Sequence, residues 1–139
     1  MAHATLRKFG YPETLLEQRE HWALLVRPAQ VTLGSLVLCA TSDATAYGDL
    51  PQEAFVEQGR MVALAERLLT QFVAYQRINY LMLMMVDPHV HFHVIPRYEG
   101  ARDFAGVAFP DSGWPEPPDL SASRPVPGGL TEELRRLIG

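Results

Sequence analysis

The sequence predicts a domain of mixed α and β structure, and three observations carry that expectation. Two strand-length apolar runs, INYLMLMMV (78–86) and HVHFHVIP (89–96), lie on either side of Asp87–Pro88. One long stretch, from Asp49 to about Tyr75, carries apolar residues at helical spacing. The shorter apolar runs HWALLV (21–26) and SLVLCA (35–40) precede it and have strand length.

Residues 1–12 read as an irregular lead-in. Residues 13–28, ETLLEQREHWALLVRP, read as two strands around a polar turn near Gln18–Glu20, with a short helix over 13–20 as the alternative. HWALLV is the firmer of the two, ending before Pro28. Gly34 precedes the strand SLVLCA, and 41–49 is loop by composition. In DLPQ (49–52) Asp49 can cap the long helix, with Pro51 in its first turn and Gln52 three residues after the cap. Phe55, Val62, Leu69 and Phe72 then form a stripe that Ala65 and Leu68 fill, although Gly59 is a weak helix former inside it.

The run 78–86 is apolar on both alternating faces, so it is expected as a central strand covered on both sides, with Asp87–Pro88 as a tight break. In the partner strand 89–96, Val90, Phe92 and Val94 take one face, and His89, His91 and His93 take the other. Six of the eleven prolines fall in 110–127, so the tail is expected to be extended and irregular, lying over the body. TEELRRLI (131–138) reads as a short terminal helix capped by Thr131 or the preceding glycine. The whole is expected as one domain, 1–139, with a core at about 13–98, a tail at 99–128 and the terminal helix at 130–138.

Composition narrows the function. A net charge of −4 without a basic stripe argues against binding duplex nucleic acid. Cys39 is the single cysteine, which leaves no intramolecular disulfide framework and no paired-cysteine metal knuckle. The opening MAHATLRKFG has no apolar targeting core, and no stretch reaches membrane-spanning length, so a cytoplasmic location without membrane contact is the expectation.

Three of the five histidines stand at alternate positions of one short run. One reading is a packed, hydrogen-bonded structural face, in which every buried ring nitrogen needs a partner. A second is a metal site, since neutral imidazole is a common transition-metal ligand. Alternate strand residues are ~6.6 Å apart and the outer pair ~13 Å apart, so at most two of the three could share an ion. Asp87, Glu99, Asp103, His21 and His3 are then the candidates for a further ligand. The third reading is nucleophilic catalysis. A neutral imidazole nitrogen attacks phosphorus near neutral pH when its other nitrogen is held as a donor and neighbouring donors meet the phosphoryl oxygens. Only this reading uses all three residues.

His89-Val90-His91-Phe92-His93-Val94-Ile95 resembles the H-φ-H-φ-H-φ-φ signature of the histidine triad family, and Pro96-Arg97 also matches many members. GSLVL (34–38), DLPQEAF (49–55) and the long helix resemble the family's order of glycine, strand, loop and helix. The resemblance covers about 14–98. It implies an α+β fold, with an antiparallel sheet of about five strands and the long helix packed on it. It also implies a homodimer. The implied activity is cleavage or transfer of a nucleoside monophosphate from a phosphoanhydride or phosphoramidate, through a nucleotidyl-histidine. His91 is then the nucleophile, His89 orients it, His93 contacts phosphate or leaving group, and no metal or other cofactor is required.

The chain departs from the family pattern at three places. Ser35 stands where many members have a fourth histidine, and a hydroxyl can bond phosphate but cannot carry its charge. Val26 and Arg27 stand where members often have Asn or Asp for the ribose. MMVDPH compresses the loop before the triad to Val86-Asp87-Pro88. The substrate-binding candidates are thus Ser35, Arg97, Arg27 and Trp114. Arg97 can pair with phosphate or sit solvated at the strand end. Arg27 and Arg102 read as surface cations or phosphate partners. Trp114 can stack on a base or anchor the tail. Ser42 and Asp43 lie in the loop after the strand carrying Ser35 and could line the same cleft, which nothing in the sequence requires. Trp22, Phe92, Cys39 and the cluster Met82/Met84/Met85 read as packing, and His21 as structural.

Overall fold

The computed structural model describes residues 2–139. Five antiparallel strands form one sheet: β1 (Leu15–Gln18), β2 (Trp22–Val26), β4 (Leu36–Ala40), β6 (His91–Arg97) and β5 (Arg77–Leu81), adjacent in that order. The two-residue β3 (Ala29–Gln30) lies between β2 and β4 in sequence and outside this sheet. The expected α+β class, the sheet and the long helix are all present. The 13–28 segment is indeed two strands, with no helix over 13–20.

Helix α2 (Gln52–Val73) covers one sheet face. Its buried residues Ala54, Met61, Leu64, Ala65, Leu68, Leu69 and Val73 recur at three- and four-residue steps. They share a core with Trp22, Leu24, Val26, Leu36, Leu38, Val90 and Val94. The indole of Trp22 is buried there and donates to the Ala54 carbonyl at 2.7 Å. The helix starts later than expected. Asp49 belongs to a preceding 3-10 turn (Tyr47–Asp49), and Pro51 occupies the cap position with no side-chain bond. At the other end Ala74 takes a left-handed conformation, which stops the helix.

The other sheet face carries Ala23, Leu25, Val37 and Cys39, covered by Leu6 and Phe9. Those two belong to the segment expected to be irregular. Ala4–Lys8 is instead a short helix, α1. Five residues cannot sustain a helix by themselves in water. The His3 ring caps this one, accepting from the Leu6 N–H at 3.3 Å, and Thr5 and Leu6 are buried against the sheet.

The run 78–86 also departs from expectation. Only its first residues pair, and β5 is an edge strand rather than a central one. Leu81 faces His93 in the ladder, so residues 82–90 must span the gap back to His91 as a loop rather than a tight break. Met84 turns within it at φ 50°, and Leu83, Met85 and Val86 are exposed. The apolar pattern here reflects the wall of a cavity, not burial in a sheet.

The tail is more regular than its prolines suggest. β7 (Ala101–Phe104) and β8 (Val107–Pro110) form a hairpin, and β9 (Arg124–Pro125) pairs with β3. Helix α3 (Leu130–Ile138), with Gly129 at its cap, buries Leu130 and Leu134 in the α2 core. No helix among the described residues is long and apolar enough to cross a membrane.

One buried ion pair fastens the tail to the sheet. Arg97 donates from Nε to Asp111 Oδ2 at 2.7 Å and from Nη2 to Oδ1 at 3.1 Å. Its remaining donors reach Asn79 Oδ1 on β5 and the Glu116 carbonyl, both at 2.8 Å. All three guanidinium nitrogens are engaged, so Arg97 serves the fold and not a phosphate. Breaking one partner of such a pair leaves a buried charge alone. Asp111→Ala is expected to lower the unfolding free energy by about 3–5 kcal/mol, read from the shift of the urea midpoint at constant slope.

Candidate active site

A cavity of about 400 Å³ opens beside the C-terminal end of β2 and the start of β6. His91 and His93 lie in its floor, Arg27 and Ala29 on one side, and Lys8 of α1 with the following Phe9 on another. The loop Leu83–Asp87 and Leu120 of the tail complete it. The floor follows from strand alternation. Val90 and Val94 enter the α2 core, and Phe92 packs against it, so His91 and His93 face the other way, over Val37 and Cys39 of β4.

Hydrogen bonding fixes the ring tautomers. His91 Nδ1 lies 2.7 Å from the His89 carbonyl. A carbonyl only accepts, so Nδ1 carries the proton and the neutral ring keeps its lone pair on Nε2. Among the described residues no buried side-chain nitrogen or oxygen lacks a partner. Nε2 of His91 has none and therefore opens on the cavity. His93 is the mirror case. Arg27 Nε donates to its Nδ1 at 3.2 Å, so that nitrogen accepts, and Nε2–H is left to donate into the cavity. The two rings meet edge to face at 5.1 Å between centroids.

His89 stands outside the strand and does not line the cavity. Its Nδ1 is 2.8 Å from the Thr5 hydroxyl, and its ring stacks on His3 at 3.9 Å, nearly parallel. His3 is held in turn by a bond from its Nε2 to the Ala40 carbonyl at 2.8 Å. The next peptide is pinned as well, because the Val90 N–H donates to the Ala44 carbonyl. Helix α1 thus buttresses the residue whose carbonyl orients His91. Its Phe9 ring packs against both His91 and His93, at 5.7 and 5.6 Å between centroids. Lys8 bridges to Asp87 at 2.8 Å, joining α1 to the loop across the cavity edge.

Burial is the first cause of the perturbed acidities. It lowers the His93 pKa to about 4, with the nearby Arg27 and His91 charges adding to the shift. Burial likewise lowers the His3 pKa and that of the Arg27 guanidinium, which stays charged. The Cys39 thiol is pushed up to about 12, so beneath His91 it is packing and not a nucleophile.

The expected site residues thus divide. His91, His93 and Arg27 come together, and His89 supports them from behind. Ser35 does not reach the cavity. It is fully buried in a turn, where its hydroxyl donates to the Thr32 carbonyl and accepts from the Thr32 N–H. Trp114 lies in a separate cavity, beside Arg77–Leu81 and Pro115–Pro118, so it neither stacks in this site nor covers it. Neither Ser42 nor Asp43 lines it. Arg102 packs over Tyr98 and donates to the Val73 carbonyl. The metal-ligand candidates do not converge, since no group of three His, Cys, Asp or Glu among the described residues is placed to hold an ion. Residues missed from the sequence are Thr5, Lys8 and Phe9, and the part played by His3. The spacing of Thr5, Leu6 and Phe9 behind a histidine was the one available signal.

This is an α+β protein with a strand-borne pair of oriented imidazoles facing a mostly apolar cavity. No protein-family model matches its sequence, and no curated protein matches it. Solved structures do match. A histidine triad protein from Bradyrhizobium japonicum superposes with a TM-score of 0.73 at 19% identity, covering 100% of this chain and 98% of that one. A hypothetical histidine triad nucleotide-binding protein from Sulfolobus tokodaii gives 0.64 at 20% identity, over 90% and 80%. Plasmodium falciparum diadenosine triphosphate hydrolase gives 0.61 at 12% identity, over 91% and 75%. The chain has the histidine triad fold.

The lowered pKa of His93 makes stability depend on pH. Between about pH 6.5 and 4 the unfolded chain takes up a proton that the native site refuses, so the native state loses stability as pH falls through that window. The loss is at most about 3 kcal/mol and ends below the native value. An NMR titration should place the His93 midpoint near 4, and denaturant melts should show the slope flattened in His93→Asn.

Proposed function

We propose that this chain binds a nucleoside monophosphate moiety in the cavity and cleaves a phosphoanhydride or phosphoramidate at its α-phosphorus through His91. One observation carries the reading: Nδ1 of His91 is tied to the His89 carbonyl, while Nε2 meets the cavity with no partner. That is the arrangement an imidazole nucleophile needs. Attack by Nε2 forms the nitrogen–phosphorus bond as the leaving group departs. The ring then bears a positive charge, which the His89 carbonyl stabilises at Nδ1–H. Water breaks the nitrogen–phosphorus bond in the second step, and the electron pair returns to Nε2.

His93 Nε2–H and the guanidinium of Arg27 serve the phosphoryl oxygens, where charge develops. The apolar side chains Phe9, Leu83, Met85 and Val86 suit the flat faces of a base. The names of two structural relatives, a nucleotide-binding protein and a diadenosine triphosphate hydrolase, support the nucleotide class. Mixing the protein with an adenosine phosphoramidate, and separately with a diadenosine polyphosphate, then quenching in alkali, should leave an AMP-sized adduct by intact mass. His91→Ala should abolish both adduct and AMP release. AMP release that survives in His91→Ala would remove the nucleophile from this reading.

The same proposal extends to assembly. β5 ends the sheet with one edge unpaired, and edges of this kind are ordinarily covered. A second copy is the proposed cover. Sedimentation equilibrium should return twice the 15.6 kDa of one chain, and a value at the single-chain mass would refute the dimer.

A further inference from the structure

The geometry points to Arg27 as a specificity-determining residue: by donating to His93 Nδ1 it keeps that ring a neutral Nε2–H donor and restricts turnover to leaving groups that need no proton from the site. The inference rests on His91 as nucleophile and adds what the site cannot do.

A leaving group that departs with a high-pKa atom needs a proton as its bond to phosphorus breaks. The residues around the cavity hold few proton sources. None of the lining side chains is a hydroxyl or a thiol. Lys8 is committed to Asp87 at the edge. His91 spends its one proton on the His89 carbonyl. His93 remains, and as a general acid it would have to become an imidazolium, with a proton on both nitrogens. Nδ1 already accepts from Arg27 Nε, a group that never gives up its own proton. Protonating His93 therefore means breaking that bond and setting a second cation against the guanidinium.

The charges facing His93 all belong to this cavity. Arg27 comes from the end of β2, His91 from β6 itself, Lys8 from α1 and Asp87 from the loop. Three of these oppose its protonation. Asp87 favours it, but Lys8 already holds that carboxylate. The lowered pKa of His93 agrees with the hydrogen-bond geometry.

The chemistry then runs as follows. The Nε2 lone pair of His91 bonds to phosphorus. The phosphorus–oxygen bond to the leaving group breaks, and its electron pair leaves on oxygen. A phosphate, carboxylate or acidic phenolate carries that charge unaided. An alkoxide does not, and the amine of a phosphoramidate leaves only where solvent has already protonated its nitrogen. In the second step water attacks phosphorus, the pair returns to Nε2, and one water proton goes to solvent.

The test uses the full chain and a series of adenosine 5′-phosphate aryl esters, from dinitrophenyl to phenyl. In the parent, kcat/KM should fall steeply as the phenol becomes less acidic, with no rate limb from His93 between pH 5 and 8. Arg27→Met keeps the aliphatic stem and frees Nδ1. It should move the His93 acid limb upward from about 4, toward the free-imidazole value, with burial still holding it below that value, and raise the phenyl ester at least about tenfold relative to the dinitrophenyl ester. Long-range proton–nitrogen NMR on the parent reads the tautomer without turnover, and it should place the His93 proton on Nε2. A shallow dependence in the parent, a slope untouched by Arg27→Met, or a proton on Nδ1 overturns the inference. A correct tautomer with no AMP released from any ester overturns the nucleotidyl reading beneath it, and the inference falls with it.

Discussion

Strand β6 has one register that works. Val90 and Val94 are fully buried against α2, and Phe92 packs beside Trp22 and Tyr47. A one-residue slip against β4 would drive His91 and His93 into that apolar core and turn the valines out. Burying two imidazoles without partners costs several kcal/mol, and exposing two valines forfeits about 2 kcal/mol each. The interaction that holds the core together therefore also fixes which way the histidines point. Chemistry and folding are set by the same alternation.

The opposite face then has to be closed, and the chain does this with unusually little structure. Helix α1 is five residues long and is held by contacts to the site it covers: the His3 cap, the Thr5 bond to His89, and Leu6 in the second core. The dependence is mutual. The His89 carbonyl directs His91, and the His89 ring is held between Thr5 and His3. At the far side, Arg97 and Asp111 secure the tail that brings Leu120 to the cavity. The site is thus roofed by segments lying at the two ends of the chain, both anchored to β6 or its immediate neighbours.

Much of this was legible in the residues. Period-two alternation marked the histidine face, and period-3.6 recurrence marked α2, because each signal runs long enough to outweigh local accidents. Helix α1 was not legible, since a five-residue helix has no periodicity to read and depends wholly on tertiary contacts. The run 78–86 misled for a physical reason. Apolar residues line a cavity as readily as they fill a sheet, and composition does not distinguish the two. Ser35 and Arg97 have the right chemistry for a phosphate, but their neighbours, Thr32 and Asp111, satisfy them first. A polar residue that the fold has already paired is lost to the site. Arg27, read as a surface cation or a phosphate partner, was the reverse: its bonds to His93 and to the Ala29 carbonyl leave Nη2 beside the cavity without a partner among the described residues.

That contrast sets the electrostatics of the site. Two cations about 4 Å apart repel by roughly 4 kcal/mol at the effective dielectric of a partly buried pair. The Arg27 charge is permanent, so a neutral His93 is the state that avoids this cost. In the proposed reaction His91 becomes cationic as its Nε2 bonds phosphorus, 5.1 Å ring to ring from His93. A charged His93 would oppose that step, and a neutral one does not. On the proposed reading the site forgoes an acid and keeps a nucleophile that can accept positive charge. The apolar side chains Phe9, Leu83 and Leu120 line the cavity beside these charges and offer them no polar partner. In that proposal, what the site loses in protonating power is recovered from the acidity of the group expelled.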